Sequence, residues 1–321
     1  MIDILSVWKY KSLLKCSKFF IIVVVDKKVG TFKNQTRIFF FLWLILLLPS
    51  CFPNKTLTVG AAATLLEQVA KSSYKQSDLR IIREGMPAYL MLMDGMIEAL
   101  PDNERLLIAA AQGYSSFASV FVEDQDKEYA KLLFERGRQY ALRSLEIRGL
   151  KDPLQTPFDD FKEGLKGLGK KDASYIFWGA TCWANWIRLN LDSMEALAEL
   201  PRVEWMMKRV LEIDEGFYYG GPHLFMGIWF ASKPKIAGGD LKKAQGHFLK
   251  ALELGKGKFL MAYVYYATYY ARQALDKDLF ISTLQKVWET PADISPELTL
   301  LNTVAKEKAK ELLTHVEEYF E

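Results

Sequence analysis

The segment GDLKKAQGHFLKALEL, residues 239–254, decides the fold of this chain. Gly239 suits a tight turn, and Asp240 can cap the helix that follows it. Ala244 is small enough to let a neighbouring helix approach closely, and Phe248, one turn later on the same face, fills the gap beside it. The segment therefore predicts the second helix of a tightly packed pair.

The first helix of that pair lies upstream, where Gly227 and Phe230 suit a close helix crossing. The turn between the two helices contains Gly238, Gly239 and Asp240. This pair is similar to a degenerate tetratricopeptide repeat, which is a helix–turn–helix unit of about 34 residues.

Three more segments follow the same pattern less closely, at 107–147, 179–214 and 264–287. Stacked repeats also need a terminal helix with a polar outer face, and residues 297–319 are predicted to supply it. The sequence therefore predicts an all-α domain of degenerate tetratricopeptide-like repeats, arranged as a helical solenoid or a closed bundle.

Three segments contain no Asp, Glu, Lys or Arg: 173–187, 217–232 and 259–271. A helix that is apolar on every side must be central, because a surface helix needs a polar face. Each segment is also too short, or too interrupted by glycine and proline, to span a bilayer. We expect them to form an inner layer with amphipathic helices outside it. The predicted outer helices are 202–213, 240–254 and 277–288.

Residues 1–50 have the layout of a secretory signal. Basic residues precede an uncharged run of eleven residues, 38–48, which is too short for a comfortable transmembrane helix. The run ends at Pro49, Ser50 and Cys51, and this ending resembles a lipobox, whose cysteine becomes the lipid-modified N-terminus. The alternative that remains open is an uncleaved anchor with an unmodified cysteine.

The predicted domain boundaries follow from this signal. Residues 1–50 would be removed, residues 51–58 would form a lipidated tether, and residues 59–321 would form the helical domain. A second apolar patch, at 19–25, lies upstream of the signal, which suggests that translation starts near Val29. The predicted location is the periplasm, with a membrane anchor only through the lipid on Cys51.

The charge of the chain excludes one class of partner. Residues 1–50 hold eight of its basic residues and only two acidic ones, so the remainder contains 34 basic and 37 acidic residues. The working protein therefore has no cationic surplus for nucleic acid.

Enzyme motifs are missing from the sequence. The three histidines, His223, His247 and His315, are neither paired as metal ligands nor joined to a nucleophile motif, and no phosphate loop is present. Cys182 lies among tryptophans and is expected to be a small buried hydrophobic residue. We therefore expect no catalytic residue, metal or cofactor. The enzyme alternative is a lytic transglycosylase, whose general acid is a buried glutamate, but no glutamate here lies in a suitable apolar, serine-flanked context.

The aromatic inner helices could line a binding groove or channel. Aromatic walls with a few polar groups would suit an apolar or amphipathic small molecule with one acidic or polar end. The competing interpretation is that these side chains only fill the core. The candidate ligand-binding residues are Trp178, Trp183, Asn185, Trp186, Tyr218, Tyr219, His223, Trp229, Tyr265, Tyr266, Tyr269 and Arg272.

Four short motifs lie between Tyr218 and Ala305. They are Tyr218, Tyr219, Gly220 and His223; Pro234 with Gly238, Gly239, Asp240 and Leu241; Val264, Tyr265, Tyr266 and Ala267; and Leu300, Leu301, Asn302 and Ala305. With these motifs the chain, from about Leu57 to the C-terminus, resembles the T component of TRAP transporter systems, the tripartite ATP-independent periplasmic transporters. The resemblance implies a tetratricopeptide-like periplasmic lipoprotein without enzyme activity or metal. It also implies binding to the substrate-binding P component and self-association, for example as a trimer.

Two classes of function remain. The first is a transport accessory that binds a substrate-binding protein and holds or passes on a small molecule. The second is a scaffold lipoprotein of envelope or pilus assembly. A pocket lined by the inner aromatic residues would favour the first, and a wide, charged concave groove for peptides would favour the second.

Overall fold

The computed structural model describes residues 55–320, and this part of the chain is all-α, as predicted. The predicted signal segment 1–50 and the lipidation site Cys51 lie outside the described residues. None of the described helices is both long and apolar enough to cross a bilayer.

The helices follow one another with short connections. The first half contains α1 (Lys55–Ser73), α2 (Leu79–Ala99), α3 (Glu104–Phe117), α4 (Lys127–Ile147), α5 (Phe158–Lys166) and α6 (Ala173–Arg188). The second half contains α7 (Met194–Ala198), α8 (Leu200–Asp214), α9 (Phe217–Ser232), α10 (Leu241–Leu254), α11 (Leu260–Tyr265), α12 (Lys277–Glu289), α13 (Thr299–Thr314) and α14 (Val316–Phe320). Two π-helical segments, Ala118–Val122 and Tyr266–Ala271, extend α3 and α11.

Acidic and amide side chains begin most of the long helices. The side chains of Asp78, Asn103, Asp126, Asp240 and Asp276 each accept a hydrogen bond from a backbone N–H in the first turn of the helix that follows. Such a bond satisfies one of the four N–H groups that a helix leaves unpaired at its start. The cap predicted at Asp240 is among them.

Helices α9 and α10 pack closely against each other, as the sequence predicted. Ala244 and Phe248 are fully buried. A Cβ atom added to Gly227 would lie 3.0 Å from the Phe248 ring, and one added to Gly239 would lie 1.9 Å from the carbonyl oxygen of Lys233. The turn at Gly239 therefore admits only glycine, and at Gly227 a larger residue would have to displace the Phe248 ring.

Successive helix pairs share three hydrophobic clusters along the chain. One cluster joins α2, α3 and α4 around Leu107, the next joins α4, α6 and α8 around Trp183, and the last joins α9 to α14 around Phe248. Each inner helix thus contacts the pair before it and the pair after it. This arrangement is compatible with stacked helix–turn–helix units.

The last long helix, α13, and the hydrophobic cluster around it contact the N-terminal part of the described chain. The Leu300 N–H in α13 donates a 3.0 Å hydrogen bond to the Tyr74 carbonyl oxygen. Leu79 packs against the C-terminal hydrophobic cluster. The Lys308 ammonium lies 3.6 Å from the Asp124 carboxylate. The C-terminal part of the described chain therefore packs against its N-terminal part.

One element differs from the sequence expectation. The predicted terminal helix 297–319 is interrupted at His315, which separates α13 from α14. Helix α2 contains Pro87 and still runs from Leu79 to Ala99, with Ile82, Leu90 and Met93 buried on both sides of the proline.

Candidate functional site

One face of the uncharged helix α6 remains accessible. Trp178, Thr181, Asn185 and Arg188 follow one another at spacings of three and four, so they lie on the same face, and each is at least partly exposed. The other faces are buried, and Trp183 has no exposed surface. Helix α6 therefore contributes most of its surface to the core and keeps one partly exposed face.

Helix α3 and its π-helical extension present a similar polar face. Gln112, Ser116, Ser119 and Glu123 are spaced by three or four residues and are at least partly exposed. The Asn185 amide of α6 donates a 3.3 Å hydrogen bond to the hydroxyl of Ser115, which is next to this face. The accessible faces of α3 and α6 are thus neighbours.

A salt bridge joins these two faces at one end. Nη1 and Nη2 of Arg188 donate to Oε1 and Oε2 of Glu123, and the Nη2–Oε2 distance is 2.7 Å. The Arg188 side chain is 42% exposed, whereas that of Glu123 is 17% exposed. Arg188 is therefore the more exposed partner of this salt bridge.

Two tyrosines of the third inner helix lie beside this salt bridge. The rings of Tyr265 and Tyr269 pack with their centroids 5.9 Å apart. Burial raises the pKa of the Tyr265 hydroxyl to about 12, the nearby Tyr269 adds to the shift, and the charge of Arg188 opposes it. Helices α3, α6 and α11 therefore converge at this point.

Tyr218 is the centre of an aromatic cluster. Its ring lies edge-on to Trp178 at 5.1 Å and to Phe259 at 5.9 Å. Burial raises the pKa of its hydroxyl well above the usual value of 10, and the nearby hydroxyls of Tyr74 and Tyr265 contribute. Tyr218 thus connects the start of α9 with α6, with α11 and with the turn before α2.

The backbone around Tyr218 is strained. Tyr218, Tyr219 and Gly220 are three successive left-handed residues, with φ of 48°, 59° and 79°. A left-handed conformation costs a non-glycine residue about 1–2 kcal/mol. Gly220 is required here because an added Cβ would lie 3.0 Å from the Cα of Ala251. Strain that the surrounding structure maintains is common at functional sites.

The tyrosine hydroxyls are largely buried but keep a small accessible surface. Tyr218, Tyr265 and Tyr269 are partly exposed, and their hydroxyls form no hydrogen bond to another described residue. Yet the only buried side-chain nitrogen or oxygen without a partner in the described chain is Nη1 of Arg202. Water or a ligand can therefore reach these tyrosine oxygens. We call Trp178, Arg188, Tyr218, Tyr265 and Tyr269 the inner face.

Two of the candidate tryptophans belong instead to the packing of α6. Trp183 is fully buried, and its indole N–H donates to the Glu199 carboxylate. The guanidinium group of Arg138 lies over the Trp186 ring at 3.8 Å and also binds Glu199. These contacts join α6 to α4 and to the end of α7.

Other candidates also have partners outside the inner face. Tyr266 is buried and its ring is stacked on that of Tyr270 at 5.1 Å. The Lys233 ammonium lies 3.5 Å from the centre of the Trp229 ring. The guanidinium group of Arg272 lies over Tyr319 of α14, at 4.5 Å.

His223 and His247 are neighbours in the fold, although nothing in the sequence indicates this. Their Nδ1 atoms lie 2.9 Å apart, because α9 and α10 bring together residues that are 24 positions apart. The Nε2 atom of His223 lies 3.3 Å from the Glu215 carboxylate. Within the described chain, no group of three or more His, Cys, Asp or Glu side chains could hold a metal ion.

Cys182 lies in the core, where the sequence placed it. It is fully buried, and its thiol lies 3.5 Å from the Ala111 carbonyl oxygen. Burial raises the pKa of the thiol to about 12. A thiol with this pKa is almost entirely protonated at neutral pH and is therefore a poor nucleophile.

Comparison with known families gives one match. A family model described as TRAP transporter T-component matches residues 75–320, which extend from the turn before α2 to the end of α14. A comparison with curated proteins finds no match.

Proposed function

The chain belongs to the TRAP transporter T-component family and is therefore an accessory component of TRAP transport, and we propose that it is a non-catalytic periplasmic lipoprotein that holds a small amphipathic molecule against its inner face. We also propose that it binds the substrate-binding P component. The observation that carries the proposal is the convergence of accessible side chains from α3, α6 and α11 around Tyr218 and Arg188.

The inner face suits a ligand with an aromatic or apolar body and one acidic end. Trp178, Tyr218, Tyr265 and Tyr269 offer aromatic surface with hydroxyls at the edge, which is the usual composition of a small-molecule site. Arg188 keeps N–H groups that Glu123 does not use, and a charged donor of this kind binds a carboxylate strongly. Arg188, which was not among the candidates predicted from the sequence, would thus bind the acidic end of the ligand.

The two interpretations of the inner aromatics apply to different residues. Trp183 and Tyr266 are buried and have specific partners, so they fit the core-filling interpretation. Trp178, Tyr218 and Tyr265 keep exposed surface on one side, so they fit the binding interpretation. The ligand set that we propose is therefore smaller than the set predicted from the sequence.

The scaffold and enzyme alternatives have less support. Among the residues named above on the accessible faces of α3 and α6, only Glu123 and Arg188 are charged, and they pair with each other, whereas the expected peptide groove would be widely charged. A lytic transglycosylase needs an unpaired glutamate as general acid. Glu123 and Glu199 are the most covered glutamates among the ion pairs of the described chain, and each binds an arginine.

We propose that the P component binds the edge where the turns inside the helix pairs lie. In stacked pairs these turns share one edge, and the end of α6 with Arg188 belongs to it. Large apolar side chains are exposed in three of these turns, where such residues often mark a protein interface. They are Leu191, Met194, Ile236 and Leu275, and Ile236 is 99% exposed.

Co-purification tests the partner. The native chain is purified at its natural abundance, and the bound protein is identified by mass spectrometry. We expect a solute-binding protein with the unmodified chain and its loss with Ile236→Asp. Met91→Asp is the matched control, because Met91 is an exposed apolar residue of α2, away from these turns. Equal capture by both variants would contradict the proposed edge, and capture of no solute-binding protein would favour the scaffold function.

The small molecule released by denaturing the purified chain tests the inner face. We expect Arg188→Met to lose this molecule and Arg272→Met to keep it, because Arg272 contacts Tyr319 outside the inner face. Loss in both variants or in neither would contradict the assignment of Arg188.

A further inference from the structure

We propose that the hydrogen bond between His223 and His247 is a pH-sensitive contact that controls release of a bound molecule from the inner face. The inference rests on the proposed function, because it concerns the molecule that the inner face holds. The two Nδ1 atoms are 2.9 Å apart, and one histidine belongs to α9 and the other to α10. A change in their protonation therefore acts where these two helices meet.

The histidine pair lies next to the strained start of α9. His223 follows Gly220 by three residues on α9, and His247 precedes Ala251 by four residues on α10. The contact between the histidines is therefore about one helical turn from the contact between Gly220 and Ala251. The left-handed backbone of Tyr218 persists only while the surrounding structure maintains it. Loss of the histidine contact would thus loosen the segment that places Tyr218 in the inner face.

The hydrogen bond needs at least one Nδ1 atom without a proton. In the neutral pair one Nδ1 donates and the other accepts. One added proton is tolerated, because a cationic His223 still donates through Nδ1 to His247 and through Nε2 to the Glu215 carboxylate, 3.3 Å away. A second proton from solvent gives both Nδ1 atoms an N–H group and both rings a positive charge. The pair then has no acceptor, and two like charges repel each other across the contact.

The environment of His247 opposes the second proton. Burial and the neighbouring His223 lower the pKa of His247. Its ring is stacked on Phe230, with centroids 5.6 Å apart. Lys243 and Lys250, one turn before it and one turn after it on α10, are basic and offer no counterion. His247 is therefore neutral at neutral pH and gains its proton only in acid.

The other elements around the pair offer one counterion. Glu215, at the end of α8, faces His223 at 3.3 Å. Helix α6 also contacts the start of α9, and it has no charged residue between 173 and 187. Tyr266 packs on α10 from the π-helical extension of α11, and burial raises the pKa of its hydroxyl, so it is uncharged in acid. One carboxylate therefore faces two imidazoles, which suffices for the first proton and not for the second.

Acid therefore weakens the contact between α9 and α10. The pKa of His247 is lower in the folded chain than its ordinary value of 6.5, so the stability that the neutral pair gives is complete above pH 6.5. That stability is lost as the pH falls through the folded pKa. Each further pH unit then shifts the equilibrium toward the open contact by up to about tenfold for the one linked proton.

Hydrogen exchange, read by mass spectrometry, tests the contact without any ligand. The full chain, in a mild detergent, is compared with His247→Asn at about pH 7.5 and about pH 5.5, on either side of the usual histidine range. Asparagine has an uncharged amide oxygen in place of Nδ1. At one pH the intrinsic exchange of the two chains is the same, so the chemistry of exchange cancels. We expect similar protection of residues 218–223 at the higher pH, and about tenfold less protection in the unmodified chain at the lower pH.

His315→Asn is the matched control. His315 binds Glu318 in α14, away from the histidine pair, so this variant should exchange as the unmodified chain does at both pH values. Circular dichroism shows whether each variant is folded. Nuclear magnetic resonance titration of the histidine rings in the unmodified chain needs no variant, and it should show one histidine that gains its proton well below about pH 6.5. Three histidines that all titrate at or above that pH would overturn the proposal.

Equilibrium dialysis with naphthalene-2-carboxylate tests the link to the inner face. This probe has an aromatic body and one acidic end, and its carboxylate stays ionised in this pH range. We expect the unmodified chain to bind it about tenfold more weakly at about pH 5.5 than at about pH 7.5, and His247→Asn to bind it equally at both.

The two measurements fail separately. Equal exchange of the unmodified chain and His247→Asn at both pH values would overturn the pH-sensitive contact. If exchange changes as expected and the affinity for naphthalene-2-carboxylate does not, the control of the inner face is overturned. If this probe fails to bind at the higher pH, the proposed ligand class is wrong and the control of the inner face is overturned with it, whereas the exchange result still decides whether the contact is pH-sensitive.

Discussion

Replacing Gly220 and Gly238 by alanine, one at a time, distinguishes the energetic cost of backbone strain from that of close helix packing. Gly220 and Gly238 both have positive φ, at 79° and 88°. Around Gly238 nothing lies within 4 Å of an added Cβ, whereas at Gly220 the added Cβ would lie 3.0 Å from the Ala251 Cα and 3.1 Å from the Leu254 Cβ. The two alanine variants therefore share the strain and differ in the steric contact.

The expected losses follow from these distances. Gly238→Ala should lower the free energy of unfolding by about 1–2 kcal/mol, which is the cost of a left-handed alanine. Gly220→Ala should have this same strain and a second cost, because the added methyl group would push α9 away from α10. Such overpacking lowers the free energy of unfolding by about another 1–3 kcal/mol. For a domain of this size, each kcal/mol lowers the melting temperature by about 2–4 °C.

Thermal and urea unfolding, followed by circular dichroism, measure both variants against the unmodified chain. Gly220→Ala should also reduce the occupancy of the co-purified small molecule, because Tyr218 would move with the start of α9. Equal losses of stability would refute the reasoning, since they would mean that the approach of α9 to Ala251 carries no energetic weight.

Three further outcomes are expected. Trp183→Phe should lower the free energy of unfolding by about 1–3 kcal/mol in urea unfolding, because the Glu199 carboxylate loses a donor; no loss would contradict this. The raised pKa of Tyr265 means that its hydroxyl stays protonated to a higher pH in the folded chain than in the unfolded chain. The stability that this gives is complete below pH 10 and is lost as the pH rises from 10 to about 12. In alkaline unfolding, Tyr265→Phe should therefore make the loss of stability with pH shallower, and an unchanged loss would contradict the shift. Cys51→Ser should release the chain from the membrane fraction in cell fractionation, and continued membrane binding would favour the uncleaved anchor.

Local sequence rules account for much of the fold. The turn at Gly239, the cap at Asp240 and the buried Ala244 and Phe248 could be predicted because each depends on neighbours within one helix pair. The inner segments could be predicted because a helix without charge has no polar face to expose. These signals lie within about 20 residues of one another, where periodicity is informative.

The strained and irregular parts could not be predicted, because tertiary packing overrides local preference. Nothing in the sequence around Tyr218 and Tyr219 favours a left-handed backbone, which the contact of Gly220 with α10 imposes. The π-helical extensions of α3 and α11 likewise depend on what surrounds the ends of these helices.

The polar groups of the site were missed for a related reason. Arg188 and Glu123 are 65 positions apart, and neither has a sequence neighbour that indicates the other. His223 and His247 are 24 positions apart on different helices. The length of the α9–α10 turn sets their register, and no local pattern in the sequence indicates it.

The central claim is that the uncharged helix α6 borders an open space on one side and the core on the other. Thr181 lies on the accessible face, and the adjacent Cys182 is fully buried. In the folded chain, Thr181→Cys should react with a small neutral maleimide while Cys182 stays unmodified, as read residue by residue by mass spectrometry. If the introduced thiol stays as unreactive as Cys182 until the chain is unfolded, the interior is solid core and the account is contradicted.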